Sequence, residues 1–541
     1  MTAPLILRAR RVITMVPGSD PEAICVDRGR IQAVGAVSDL RDLQPEAEVR
    51  DLGDAVIVPG FNDAHLHLLM TVENLLHLDL SADAVHSIGE LCALVGREAA
   101  AQPPGSWIRG SRYDDAKLSD GRGLTRWDLD RVAPEHPVLV MHVAGHWGVV
   151  NSAALRLAGI DEATDEPPGG AFGRDAARRL DGRLLEQALF DFAFPAWSRS
   201  GRTVAPTSSD AQRRSALRRA LERFHAAGIT SATDAMVGID DLPFLLAAER
   251  EGDLTLRLNL LVSAETYDRF RDRQPGLLRE SGMRLAGIKT FIDGAIGGRT
   301  CLMDEPFEGT SDDYGIQTRT TAELRDTVRR AQEDGVPACI HANGDRAIRT
   351  VLGLMEEAQR AVPRPGLRHR VEHCSIVDEG ILRRMHDLGA IAVPFGSYVH
   401  YHGARLLDWY GERRVRRMFA HRWFLDAGVL VAGSSDYPCG PFEPLLAMQS
   451  CVTRTGFDGT PLGPGQRITA PEALALYTTS AAATTGETGE KGTLAPGRRA
   501  DLVVLGDDPL RHEPRTLSEI PVLETWVGGR SVWEATLSGH A

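Results

Sequence analysis

At 541 residues the chain can bury one large core or divide into several, and α/β barrels reach this length as single domains. Its 43% hydrophobic and 25% charged residues are those of an ordinary globular protein. The net charge of −13, with no lysine–arginine block, argues against nucleic acid and anionic membrane surfaces as partners. Seven scattered cysteines without a Cys-x-x-Cys pair fit a reducing, cytoplasmic setting. Met1 to Arg8 shows no basic-then-apolar leader pattern, and no apolar run is long enough to predict a membrane span.

Residues 4–58 read as short strands and turns. Leu5-Ile6-Leu7 and Arg11 to Met15 come first, then a hairpin of Ala23–Val26 and Arg30–Gly35 around Asp27-Arg28-Gly29. Ala55-Val56-Ile57-Val58 is an apolar run ending at Pro59-Gly60, the pattern of a buried strand. The C-terminal segments Asp501–Leu505, Val522–Val527 and Ser531–Trp533 have the same texture. Residues 1–58 and 493–541 are therefore expected to pair into one small β-sandwich around an inserted middle, 59–492. That middle alternates strand-like and helix-like stretches, as βα units do. Strands are expected at Val138–Val143, Ile229–Asp234, Leu256–Val262, Ala286–Ile292, Val336–His341, Arg370–His373, Ala390–Val393 and Val429–Ala432. Helical spacing marks Arg213–Ala227 before Gly228, and Thr321–Asp334 before Gly335. An insertion is expected around 75–210, and its part from 160, rich in Gly, Pro, Arg and Asp, reads as irregular.

Polar residues recur at the ends of the apolar runs. His65 and His67 follow Pro59-Gly60 and, one residue apart, point to one side of an extended chain. Lys289, His341, His373 and Asp436 each end a later strand-like run, and Glu186 ends Arg183-Leu184-Leu185. Alone, each has a bland reading: structural histidines, a solvent-reaching lysine, a turn aspartate, and for Glu186 an acid on a helix surface. In a closed parallel barrel, however, the C-terminal strand ends form one face, and His65, His67, Lys289, His341, His373 and Asp436 would meet there. Imidazole and carboxylate suit Zn²⁺, with Fe²⁺ or Mn²⁺ sharing the donor set. A buried lysine has a lowered pKa, so its neutral amine can add to CO₂, and the resulting carbamate could bridge two ions. One or two divalent ions would activate a hydroxide and polarise a carbonyl, with Asp436 as general base and then acid.

With these motifs the chain resembles the amidohydrolase superfamily and, within it, the YtcJ-like branch that includes N-substituted formamide deformylases. Pro59-Gly60-Phe61-Asn62-Asp63-Ala64-His65-Leu66-His67 is similar to the superfamily's first metal motif, and Val26–Gly35 and Gly492–Leu502 to its opening and closing sandwich segments. Lys289–Thr300, His341–Ala347, Glu372-His373-Cys374 and Gly433–Pro438 are similar to stretches of the branch. The resemblance implies a distorted (β/α)₈ TIM barrel with a flanking β-sandwich. It also implies metal-dependent hydrolysis of an amide or N-formyl C–N bond in a small molecule. It supports metal roles for the six residues above. It also draws attention to His146 as a donor to the substrate carbonyl, to Trp147 as pocket lining, and to Arg299 and Asn343 as substrate contacts. A heterocycle deaminase or cyclic amidase is the alternative, against which Lys289 argues, and a non-catalytic scaffold is the third reading. A homodimer is the default assembly.

Overall fold

A computed structural model describes residues 4–273, 278 and 281–536. Its centre is a seven-stranded parallel sheet ordered Ile391–Val393, Arg370–His373, Ala338–Ala342, Arg284–Phe291, Arg257–Ser263, Ile229–Val237 and Phe61–Leu66. The sheet nearly closes on itself. Val431 and Ser434 form parallel bridges to Ala392 and Phe395 on one side. On the other side Ala64 and His67 donate to the carbonyls of Gly433 and Tyr437 (3.2 and 2.8 Å), and Asp436 donates to that of His65 (2.9 Å). In place of the expected strand Val429–Ala432 there are single bridges at Val431 and Ser434.

The strands are buried along their length, as parallel strands covered by helices are. Two covering helices show why the sequence ends them where it does. Asp210–Ala226 is capped by Ser209 with Gln212 reaching back, and buries Leu217, Leu221 and Phe224. Thr321–Asp334 is capped by Thr320 and Glu323 and stops at Gly335, in the left-handed conformation. Gly60 admits the first barrel strand: a Cβ there would lie 2.2 Å from Thr230 Oγ1.

The chain ends form two sheets. One orders Arg30–Gly35, Ala23–Asp27, Leu5–Arg8 and Glu48–Asp51; the other orders Arg11–Val12, Val56–Pro59, Leu502–Leu505, Val522–Val527 and Arg530–Glu534. Val56–Pro59 runs antiparallel to Leu502–Leu505, and residues of both sheets, among them Leu7, Ile24, Ile57, Leu502, Val504 and Trp526, share one apolar cluster.

The insertion is more ordered than its composition suggests. Its six-stranded sheet runs Gly170–Arg174, Leu180–Glu186, Trp147–Val150, Val138–His142, Ile108–Tyr113 and Leu78–Asp79, so the Val138 strand lies outside the barrel. The segment expected to be irregular supplies two of these strands and the helix Gln187–Ala193. Among the described residues no helix is long and apolar enough to cross a membrane.

Candidate metal centre

His65 ends the Phe61–Leu66 strand and His67 caps the helix that follows. The two side chains are oriented from behind. His65 Nδ1 donates to Glu372 Oε2 (2.5 Å), and His67 Nδ1 donates to the carbonyl of Ala235 (2.6 Å). Each contact places the ring proton on Nδ1 and leaves the Nε2 lone pair free. Both Nε2 atoms face Asp436 Oδ1, at 3.4 Å from His65 and 3.1 Å from His67. Donor atoms of the three residues all lie within 4.8 Å of one another, and all three residues are buried. Three lone-pair-bearing atoms converging in a dry site repel one another unless a cation joins them, so this donor set fits a divalent metal.

The other predicted strand-end residues stand around this trio. Lys289 Nζ is 3.4 Å from His65 Nε2. The His373 ring centre is 4.8 Å from that of His65 and 4.5 Å from that of His341. His373 Nδ1 is buried without a hydrogen-bond partner, another donor atom left open. His146 completes the group, its ring centre 4.9 Å from that of His341. Burial, followed by neighbouring positive groups, drives His341 well below the ordinary histidine pKa, and burial drives His67 and His373 down despite Asp436, so all three are neutral ligand candidates. Burial also lowers the Lys289 amine to about 8.

Glu186, expected on a helix surface, is instead fully buried at the end of the Leu180–Glu186 strand. Its Oε2 accepts from His146 Nδ1 (2.7 Å) and its Oε1 from Thr300 Oγ1 (2.9 Å). Burial alone would lower the His146 pKa; the charge and hydrogen bond of Glu186 reverse that and raise it. Asn343 donates to the Gly294 carbonyl, with its nitrogen 3.0 Å from His341 Nε2, so it braces His341. Trp147 stacks on His142, ring centres 4.2 Å apart, and Arg299 lies over Phe307. Neither lines the cleft that holds His146, His341, Asn343 and Asp436. Trp147 follows His146 directly, and strand alternation turns it to the opposite face.

Sequence reading missed the supports behind these groups. Arg370 Nε and Nη2 donate to Glu372 (2.7 and 3.0 Å), and Nη2 also donates to the Ala64 carbonyl. Arg370 and His65 hold the Glu372 carboxyl far below its ordinary pKa against its burial. Asp63 Oδ1 accepts from the backbone of His65 and Ser435, tying the first barrel strand to the Asp436 turn. Asp293 accepts from the backbone of Leu302, Asn343 and Gly344 and clamps the loop beside His341. A visible signal existed for one of them: Arg370 and Glu372 are charged residues two apart in a buried strand. Glu186, His373, Cys374 and Asp436 also take positive φ (51°, 68°, 41° and 54°). Such backbone costs on the order of 1–3 kcal/mol per residue and concentrates at functional sites.

A nearly closed parallel sheet with imidazoles and carboxylates at its strand ends defines the class of barrel hydrolases that work at the C-terminal face. The match to the amidohydrolase family model spans residues 48–533, and the chain belongs to that family. It is 32% identical over 537 residues to an N-substituted formamide deformylase of Arthrobacter pascens, covering 95% of both chains. It is 30% identical to a putative amidohydrolase, YtcJ, of Bacillus subtilis, covering 97% of this chain and 98% of that one. Among solved structures, an uncharacterized metal-dependent hydrolase from Pyrococcus furiosus superposes with a TM-score of 0.72 at 25% identity, covering 94% of this chain and all of the other.

Proposed function

We propose that this protein is a metal-dependent hydrolase cleaving the C–N bond of a small amide or N-formyl compound. The observation that carries the reading is the convergence of His65 Nε2, His67 Nε2 and Asp436 Oδ1 with no donor of their own between them. Similarity to an N-substituted formamide deformylase supports the bond type. A divalent ion, Zn²⁺ foremost, held by His65, His67, His341, His373, Asp436 and a carboxylated Lys289, would polarise the carbonyl and acidify water.

The chain's own groups do the rest. Asp436, its Oδ1 set between His65 Nε2 and His67 Nε2, takes the proton of the attacking water and returns it to the departing nitrogen. His146, its pKa raised by Glu186, donates a hydrogen bond to the carbonyl oxygen as that oxygen gains charge. Thr300 fixes Glu186, and Asn343 fixes His341. The Lys289 amine, at about 8, has a neutral fraction that can add to CO₂, releasing one proton to solvent and gaining two carbamate oxygens. Trp147 supports the cleft wall through His142, and Arg299 acts only from outside the cleft.

We read the two end sheets as one β-sandwich flanking the barrel, within 1–58 and 493–541, of which 1–3 and 537–541 lie outside the described residues. Seven buried, unpaired cysteines support a reducing, cytoplasmic setting. The test is a metal assay with a turnover screen of N-formyl amines, N-acyl amino acids and cyclic amides. Bound divalent metal with N-formyl or N-acyl hydrolysis abolished by a chelator is expected. A chain that binds no divalent ion, or that hydrolyses these compounds equally well in excess chelator, would refute the reading.

A further inference from the structure

The cleft changes character from floor to mouth. His146, His341, Asn343 and Asp436 form a buried floor, whereas Lys117, Tyr401, His402, Arg405, Trp409 and the exposed Phe457 form an outer wall. Two cations sit in that wall, each poorly neutralised. The Lys117 amine rests 3.7 Å over the Tyr401 ring and 3.8 Å from Asp114 Oδ2, beyond hydrogen-bond range. Asp114 is engaged elsewhere as well: Oδ1 caps the Ala116 N–H, and Oδ2 faces the Tyr401 hydroxyl at 3.5 Å. The Arg405 guanidinium, half-buried, has no ion pair or hydrogen bond among the described residues.

The two charges feel each other and their surroundings. Burial first, and Arg405 with it, hold the Lys117 amine below its ordinary pKa although Asp114 opposes them. Burial, then Lys117 and Arg405, hold His402 at about 3, and its Nε2 is left without a partner. Between floor and mouth the wall is aromatic: Phe395 and Tyr398 stack at 3.6 Å, and Trp409 lies 5.5 Å from His402. Under-neutralised cations at the mouth of an aromatic cleft attract an anion and bind it by charge-assisted hydrogen bonds.

We infer that the substrates are aromatic carboxylates, with the C–N bond at the floor against Asp436 and His146 and the carboxylate at the far end of the molecule against Arg405 and Lys117. The inference rests on the hydrolytic reading of the floor, and its test separates the two. The metal-loaded protein is offered two formamides of one shape, 4-(formylaminomethyl)benzoate and 4-(formylaminomethyl)benzamide. The acid is expected to show a kcat/KM about tenfold higher, a factor equivalent to about 1.4 kcal/mol. The advantage should shrink as salt is raised, and the acid-to-amide ratio should fall at least about threefold, or about 0.65 kcal/mol, in Arg405→Met and in Lys117→Met. Equal kcat/KM for the two compounds at low salt overturns the inference and leaves the hydrolytic reading standing, whether or not either variant folds. If neither compound is turned over, the hydrolytic reading is left to its own substrate screen, and titration with 4-methylbenzoate and 4-methylbenzamide decides the anion subsite. Tighter binding of the benzoate supports the anion subsite, and equal binding overturns it.

Discussion

Glu372→Gln isolates what a group behind the candidate ligands does. Glu372 and Arg370 are both fully buried, and Glu372 answers to Arg370 at 2.7 and 3.0 Å and to His65 Nδ1 at 2.5 Å. Glutamine keeps the volume and one acceptor oxygen but removes the charge. Two effects follow, and they separate. Losing a carboxylate behind a ligating histidine lowers metal affinity by about 10–100-fold, which is about 1.4–2.7 kcal/mol. Leaving Arg370 buried without a counter-charge costs about 3–5 kcal/mol of stability, with the remaining amide oxygen holding the loss toward the lower end. Metal affinity is measured by competition with a chelator of known affinity, and stability by urea unfolding of the chelated protein. The double variant Arg370→Met/Glu372→Met should recover much of the stability and none of the metal affinity. A folded Glu372→Gln protein whose metal affinity stays within about twofold of the original, well short of the loss expected for such a support, would refute the orienting role. A double variant as unstable as the single one would refute the charge-pairing account.

Four further outcomes are expected. Asp436→Asn should fold and keep at least one metal while turnover falls by about 10²–10⁴-fold; near-normal turnover in a steady-state assay would remove its proton role. Lys289→Ala should lower metal content measured by elemental analysis, with partial rescue of turnover by short carboxylic acids; full metal and full rate would exclude a bridging carbamate. His146→Ala should lower kcat by about 10²–10³-fold, the usual effect of losing one oxyanion donor, with metal content unchanged; loss of metal would instead place His146 among the ligands. Asp128 is buried, and although burial pushes its carboxyl up, Arg122 and Thr125 hold it at about 2. A depressed folded-state pKa stabilises above the unfolded value and is lost as pH falls through the folded value, so Asp128→Asn should cost about 2 kcal/mol near pH 6 and under about 0.5 kcal/mol near pH 2. A pH-independent difference in urea midpoints would contradict this.

Much of the barrel was legible because parallel strands buried on both faces are near-continuous apolar runs, and a polar residue closing such a run stands out. Lys289, His341 and His373 each stand out in this way. The bracing was not legible, since Glu372 meets His65 across 307 positions and nothing local to either residue announces the contact. The strands Gly170–Arg174 and Leu180–Glu186 were hidden for another reason: glycine, arginine and aspartate dilute their alternation, and pairing with Trp147–Val150 decides their conformation. Glu186 shows the same effect, because an acid beside leucines reads as surface until a histidine and a threonine on other segments are seen to enclose it.

The pairing of Val56–Pro59 with Leu502–Leu505 has a consequence for biosynthesis. The segment leading into His65 is made roughly 440 residues before the strand that it must lie against. His65 and Asp436 are likewise separated by roughly 370 residues, a gap of tens of seconds at usual elongation rates. A nascent chain therefore carries its imidazoles long before their carboxylate neighbour exists, and the donor set cannot assemble until Asp436 has been made.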